Sequence, residues 1–309
     1  MQTLRETIQN YTKAGRAMGH FNFSDSNQLK AIAQAAMETG LPVAVGLSEG
    51  EREYFPITHA RALVDIYNAQ GAQIYLNADH TYSIEKVRAA IDAGVDSVVV
   101  DGAKLSFADN VALCKAAVAY AQEKHASSST ALGAINTKVL IEGELGYIGT
   151  SSAVMDALPE GAAATEELMT KPEELQELVA QTGIDLVAPA VGNIHGIVLS
   201  GQPKLSISRI AALSAAVNPT PGVADSTGHV GVPLVLHGGS GSSDEEFVAA
   251  VKAGVVIIHI NTDLRLAYRD SLRKTLTTSE ETTPYKFLTP SVTAMQAYVA
   301  QKLRLFAGQ

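Results

Sequence analysis

The chain has one cysteine among 309 residues, so no disulfide can form within it. That fits a compartment that keeps thiols reduced. No apolar run approaches the roughly 18 residues that a membrane helix needs. Positive charge is the scarcer sign, with 23 Lys and Arg against 32 Asp and Glu and a net charge of −9. This acidic balance argues against a general nucleic-acid binder. Charged residues make up only 18% and hydrophobic residues 46%, which excludes a disordered chain. Met1 to Arg16 is polar and mixed in charge, unlike a secretory signal. An early Gly-rich dinucleotide fingerprint is also missing, which weighs against a doubly wound open sheet. A globular α/β enzyme remains, expected in the cytoplasm and long enough to bury a sizeable core.

What is present is a repeated unit: a short apolar run, a loop, then a segment of helical period. The runs are Ala17–Asn22, Leu41–Leu47, Gln73–Ala78, Ser97–Asp101, Lys138–Glu144, Ile184–Val191, Val232–His237 and Val255–Ile260. Several are continuous in Val, Ile, Leu and Ala, as a parallel strand covered on both faces requires. Between them, Leu29, Ile32, Ala36 and Met37 share one helical face ahead of Gly40, and Ile84, Val87 and Ile91 do so ahead of Gly94. Thr170-x-x-Glu173 and Ser243-x-x-Glu246 read as capping boxes. Pro172 and Pro290 suit first helical turns. Eight units of about 39 residues predict a (β/α)8 barrel. We expect one domain over 1–309, with an extended loop after strand five at Gly146–Thr170 and helices at the C-terminus. Ala126–Thr130 reads as a polar connector, and Pro219–Gly231 as a long loop before strand seven.

The C-terminal ends of barrel strands carry the chemistry. Here they read Asp79-His80, Asp101-Gly102, Glu142-Gly143-Glu144, Gly192-Asn193-Ile194-His195-Gly196, His237-Gly238-Gly239-Ser240-Gly241 and His259-Ile260-Asn261-Thr262-Asp263. One histidine at a strand end is usually a hydrogen-bonding residue. His80, His195 and His237, at three strand ends, have the composition of a catalytic zinc site with an open position. His20, His59, His125 and His229 lack that context and read as structural or surface residues, while His259 is ambiguous. Asp101 and Glu144 read equally as buried ion-pair partners or as carboxylates orienting metal-bound imidazoles. Gly238 to Gly241, before the helix capped at Ser243, lets backbone N–H groups approach an anion. Barrel phosphate sites use the loops after strands seven and eight.

Taken together, these motifs resemble the class II, zinc-dependent fructose-bisphosphate and tagatose-bisphosphate aldolases. The resemblance also covers Gly19-His20-Phe21-Asn22, Leu47-Ser48-Glu49-Gly50, Asn77-Ala78-Asp79-His80, Asn261-Thr262-Asp263-Leu264-Arg265 and the tail from Pro284 to Lys302, in order along nearly the whole chain. It implies zinc ligands at His80, His195 and His237, metal-region carboxylates at Asp101 and Glu144, and an aspartate acid/base at Asp79. Substrate contacts are implied at Asn22 and Ser48, and phosphate contacts at Gly196, Gly238, Ser240, Asn261, Thr262 and Asp263. The resemblance further implies a monovalent cation near the phosphate and a homodimer or homotetramer.

Two departures stand out. The family's loop after strand five carries acidic residues soon after Gly-Gly, one of them the base that removes the substrate proton. Here the stretch reads Gly149-Thr150-Ser151-Ser152, and the nearest carboxylates are Asp156 and Glu160. Many members have Asn where this chain has His259. The expected activity is reversible cleavage of fructose 1,6-bisphosphate to dihydroxyacetone phosphate and glyceraldehyde 3-phosphate. A tagatose-bisphosphate or related ketose aldolase is the alternative, and a non-catalytic relative a lesser one. A Schiff-base aldolase would need Lys104 or Lys138, and metal-dependent hydrolysis would use Asp101 and Glu144.

Overall fold

The computed structural model describes residues 1–128, 138–218 and 231–309. In chain order the elements are α1 (Leu4–Ala14), β1 (Met18–Asn22), α2 (Ser26–Thr39), β2 (Val43–Leu47), α3 (Glu49–Tyr54), α4 (Ile57–Ala69), β3 (Ile74–Thr81), α5 (Ile84–Asp92), β4 (Ser97–Val100), α6 (Phe107–Ser128) and β5 (Leu140–Leu145). There follow β6 (Val154–Met155), α7 (Pro172–Thr182), β7 (Leu186–Pro189), β8 (Ile197–Val198), α8 (Ile207–Val217), β9 (Leu234–Leu236), α9 (Asp244–Lys252), β10 (Val255–Ile260), α10 (Thr262–Thr278) and α11 (Pro284–Phe306). Eight parallel strands close into a barrel in the order β1-β10-β9-β7-β5-β4-β3-β2, and each predicted apolar run overlaps one of them, β3 running three residues past its run to Thr81 and β5 one past its run to Leu145. Among the described residues no helix is long and apolar enough to cross a membrane.

Alternation along the strands grades the barrel interior. Side chains two residues apart share a face. The lower interior is a small apolar cluster that includes Met18, Ala44, Tyr75, Leu140, Leu186, Val235 and Ile257, closed from beneath by Leu4 and Ile8 of α1. Tyr75 spends its hydroxyl there, against Thr7 Oγ1 at 2.6 Å and the Gln2 carbonyl at 2.9 Å. Two residues further along the same strands stand His20, Gly46, Asn77, Glu142, His237 and His259. Polarity therefore rises toward the mouth. The outer faces of the strands, with Phe21, Val45, Leu76, Ile141 and Ile258, pack into the larger core under the helices.

Four local expectations change. Thr170 caps no helix; Lys171 is the N-cap of α7. The Thr170 hydroxyl instead donates to the Leu145 carbonyl at 2.6 Å and accepts from the Ala190 N–H at 2.9 Å, stitching β5 to β7. Pro284, not Pro290, opens α11. Pro290 lies inside that helix on an exposed turn, where the carbonyl left by its missing N–H meets water. The predicted connector from Ala126 is helical through Ser128, as the end of α6. Its last two positions, with 219–230 of the predicted loop and His229, lie outside the described residues. Val154 and Met155 of the loop after strand five pair with Ile197 and Val198 in a separate two-stranded sheet, a tie the polar sequence did not reveal.

Gly46 makes room for His20. A Cβ at Gly46 would meet the His20 ring at 2.3 Å, and the far face of that ring is stacked on His259 at 3.6 Å. Gly46→Ala should therefore destabilise the barrel by about 1–3 kcal/mol, as overpacking does. The check is the urea midpoint at unchanged slope, and an unshifted midpoint would show that His20 moves freely.

Candidate active site

At the mouth of β3, consecutive residues both enter the cleft. Side chains normally alternate across a strand, but the register of β3 against β4 shifts between Ala78 and Thr81. His80 has φ 92°, the one non-glycine residue with positive φ among those described. The bulge costs backbone strain and turns His80 inward beside Asp79. Arg52 of α3 holds it in place, donating to the carbonyls of Leu47 at 2.6 Å, Asp79 at 2.8 Å and His80 at 3.3 Å, and to Thr81 Oγ1 at 3.1 Å.

Three imidazoles then converge. His80, His195 and His237 each offer a ring nitrogen, and these lie within 4.8 Å of one another. The second nitrogen of each ring is taken. His80 Nδ1 pairs with Asp101 at 2.9 Å, His195 Nδ1 with the Gly149 carbonyl at 2.8 Å, and His237 Nε2 with Glu142 Oε1 at 2.6 Å. Glu144 Oε2 stands 3.5 Å from His80 Nδ1 and 3.3 Å from His237 Nδ1. Such outer partners fix tautomer and ring direction, leaving the inner nitrogens to a common ligand.

Asp79 sits at the edge of this cluster. Its Oδ2 accepts from Asn22 Nδ2 at 2.8 Å, and its Oδ1 is 3.6 Å from His80 Nε2 and 3.5 Å from His259 Nδ1. His259 is stacked between His20 and His237, with ring centroids at 3.6 and 4.2 Å. Beyond it the chain turns through the glycines. Gly238 has φ 59°, and a Cβ there would strike the Ile194 carbonyl at 2.5 Å, so only glycine fits. Ser240 Oγ accepts the N–H groups of Asn261 at 3.3 Å and Asp263 at 3.2 Å, locking the loops after the seventh and eighth barrel strands together.

A cleft of about 250 Å³ joins these parts. Its wall includes Asn22, Ser48, Asp79, His80, Asp101, His195, Gly196, Gly238, Ser240, Asn261 and Thr262 of the sequence-derived set. His237 and Glu144 lie buried beneath it. Asp263 is a buttress, its carboxylate accepting from Gly241 N and Tyr298 OH at 3.2 and 3.0 Å. Asp156 and Glu160 are exposed and off the wall, although Gly149, Thr150 and Ser152 of the same loop line it. Thr262 and Arg265 hold that loop through Ser152 at 2.8 and 3.1 Å. Lys104 lies over the Tyr147 ring and Lys138 pairs with Asp185, both off the wall. Sequence reasoning set His20 aside as structural, passed over Glu51 and Arg52, and gave Glu142 no role of its own within the strand-five motif. The Ser48-x-x-Glu51 spacing, itself a capping-box pattern, was the available signal for Glu51.

A family profile described as "Fructose-bisphosphate aldolase class-II" matches residues 2–309. A fructose-bisphosphate aldolase of Staphylococcus aureus (strain Mu50 / ATCC 700699) is 31% identical over 310 residues, covering 98% of this chain and 96% of the relative. The chain belongs to the class II fructose-bisphosphate aldolase family. A fructose-bisphosphate aldolase of Geobacillus stearothermophilus is also 31% identical, over 99% of this chain and 96% of its own length. In fold, the chain is similar to the YdjI aldolase from Escherichia coli K12, with a TM-score of 0.76 at 23% identity over 99% of this chain and 97% of that one. Membership makes it an aldolase, a carbon–carbon lyase of a family that acts on phosphorylated sugars and is generally metal-dependent.

The residues fit a metal of that family. His237 Nδ1 is buried and has no hydrogen-bond partner, a cost that a bound cation would remove. The surrounding field also favours positive charge. Burial alone would lower His80, but Asp79, the Asp101 hydrogen bond and Glu144 lift it to about 9. Burial opposes a charged His237 as well, and the Glu142 carboxylate bonded to it and the Glu144 carboxylate beside it raise it well above the usual range. Burial would raise the Asp79 carboxyl, yet His80 and His259 hold it well below its ordinary value. Burial depresses His195, His259 and His20, the last to about 4.

A metal must therefore displace protons from His80 and His237. Both are protonated below their raised values, so affinity for zinc should climb with pH toward about 9. Zinc titration at pH 7 by calorimetry in buffers of different ionisation enthalpy should show about two protons released per ion. Affinity independent of pH between 6 and 8 would count against this field.

Proposed function

We propose that the chain is a zinc-dependent, cytoplasmic ketose-phosphate aldolase, working as a homodimer or homotetramer. It splits the bond between C3 and C4 of a ketose whose C1 phosphate lies on the glycine turn. The observation that supports this most is the placement of Asp79 beside the three imidazoles, in one cleft with Gly238, Ser240 and Asn261. Fructose 1,6-bisphosphate and tagatose 1,6-bisphosphate share that C1–C4 unit and are the two sugars to try first.

His80, His195 and His237 would hold the zinc. When bound it supplies a Lewis acid for negative charge that develops on the ketone fragment. The backbone N–H groups of Gly196, Gly238, Ser240 and Thr262 receive the phosphate dianion, together with the Ser240 side chain, so no basic side chain is required. Asp79, ionised and steadied by Asn22, takes the C4 hydroxyl proton as the carbon–carbon bond breaks and returns it in condensation. Asp101, Glu142 and Glu144 keep the ligand imidazoles oriented. For Asp156 or Glu160 to exchange the carbon-bound proton of the ketone fragment, the loop after strand five must close further.

Asp79→Asn should lower kcat by about 10²–10⁴ while zinc content stays at the wild-type level. Chelation should abolish cleavage, and added zinc should restore it. Near-normal turnover in the variant, or cleavage that survives complete removal of metal, would refute this function.

A further inference from the structure

One stretch of the cleft wall is backed by a buried carboxylate of the chain itself. Asn22 and Ser48, at the ends of β1 and β2, line the wall beside Asp79. Behind them Glu51 is buried, at 7% exposure. Its Oε2 accepts from Ser48 N at 2.8 Å, Ser48 Oγ at 2.9 Å and Asn22 Nδ2 at 3.0 Å. Its Oε1 accepts from Arg265 Nη2 at 2.6 Å. A capping box accounts for the two Ser48 bonds. It does not call for an amide from β1 or a guanidinium from α10. A guanidinium, an amide, a hydroxyl and a backbone N–H converging on one anion form the donor set that binds a phosphate.

Glu51 uses up those donors. Asn22 Nδ2 has two hydrogens, one bonded to Glu51 and the other to Asp79 Oδ2 at 2.8 Å. The Ser48 hydroxyl proton is on Glu51 as well. Asn22 therefore has only Oδ1, an acceptor, to present to a ligand. Glu49, Asp79 and Asp101 add three carboxylates to the wall, and among its described residues there is no Lys or Arg.

We propose that the part of the cleft lined by Asn22 and Ser48 receives an uncharged, hydroxyl-bearing carbon, and that Glu51 is the specificity residue that turns away a second phosphate. The preferred substrate is then a ketose with one phosphate, on C1. The inference rests on the aldolase reading for the direction in which the sugar lies. A second dianion there would find the donors of Asn22 and Ser48 already taken, with the Glu51 carboxylate directly behind them, and like charges placed together weaken binding.

The test compares fructose 1-phosphate with fructose 1,6-bisphosphate on the zinc-loaded protein, following dihydroxyacetone phosphate. Wild-type kcat/KM should favour the 1-phosphate by about tenfold or more. Glu51→Ala, which frees Arg265, Asn22 and Ser48, should move the ratio toward the bisphosphate by at least about tenfold. Glu51→Gln keeps the side-chain volume and should move it the same way. A wild-type preference for the bisphosphate, or a ratio unmoved in both variants, overturns the proposal. Calorimetry with hexitol 1-phosphate and hexitol 1,6-bisphosphate, which cannot be cleaved, separates it from the function proposed above. If neither sugar is cleaved but the bisphosphate gains affinity only in the variants, the role of Glu51 stands and the aldolase reading falls. Tighter binding of the hexitol bisphosphate to the wild type overturns it.

Discussion

The mouth of the barrel depends on the contact between Glu142 Oε1 and His237 Nε2, 2.6 Å apart with both side chains fully buried. A carboxylate in such a place is costly unless it is paired, and an imidazole there must be told which nitrogen to present. The contact meets both needs at once. His80 with Asp101 and His195 with the Gly149 carbonyl repeat the arrangement around the ring. Three rings, from β3 and from the segments after β7 and β9, are aimed at one point because the opposite side of each is held. Buried groups of this kind are poor contributors to stability. Their presence in an otherwise apolar interior marks the upper layer of the barrel as a site rather than a core.

The barrel supplies the layering that makes this possible. The same strands carry Met18, Leu140, Val235 and Ile257 in the lower interior and His20, Glu142, His237 and His259 one step above. A period of two keeps the polar set inward and the Phe21, Ile141 and Ile258 set outward, against the helices. β3 breaks the period once, at His80, and spends backbone strain to bring a second polar side chain into the cleft next to Asp79. Arg52 satisfies the carbonyls that the bulge exposes.

Much of this was legible in the sequence. An apolar run marked every barrel strand, and several were continuous, because a strand covered on both faces cannot hide its composition. The strand-end motifs placed His80, His195, His237 and Asp79 before any geometry was known. Long-range partners were not legible. Nothing in the local pattern says that Thr170 leaves a helix start to join β5 to β7, or that Pro290 sits on an exposed turn where its lost hydrogen bond is cheap. His20 looked structural because its neighbours in sequence carry no acid. Its stacking partner lies on β10, brought alongside by strand pairing. Glu51 was hidden for the opposite reason: a local capping role explains half of its bonds, and the other half come from β1 and α10.

The net charge of −9 gains a local meaning from this arrangement. Acidic residues at the mouth gather positive charge at one point, and backbone dipoles at the glycine turn receive negative charge at another. The central claim is that the carboxylates serve the imidazoles and do not themselves ligate the ion. X-ray absorption at the zinc edge of the zinc-loaded protein addresses it most directly. The expected result is three imidazole nitrogens bound to the ion at about 2.0–2.1 Å. A shell built mainly from carboxylate oxygens, or no stoichiometric zinc at all, would contradict it.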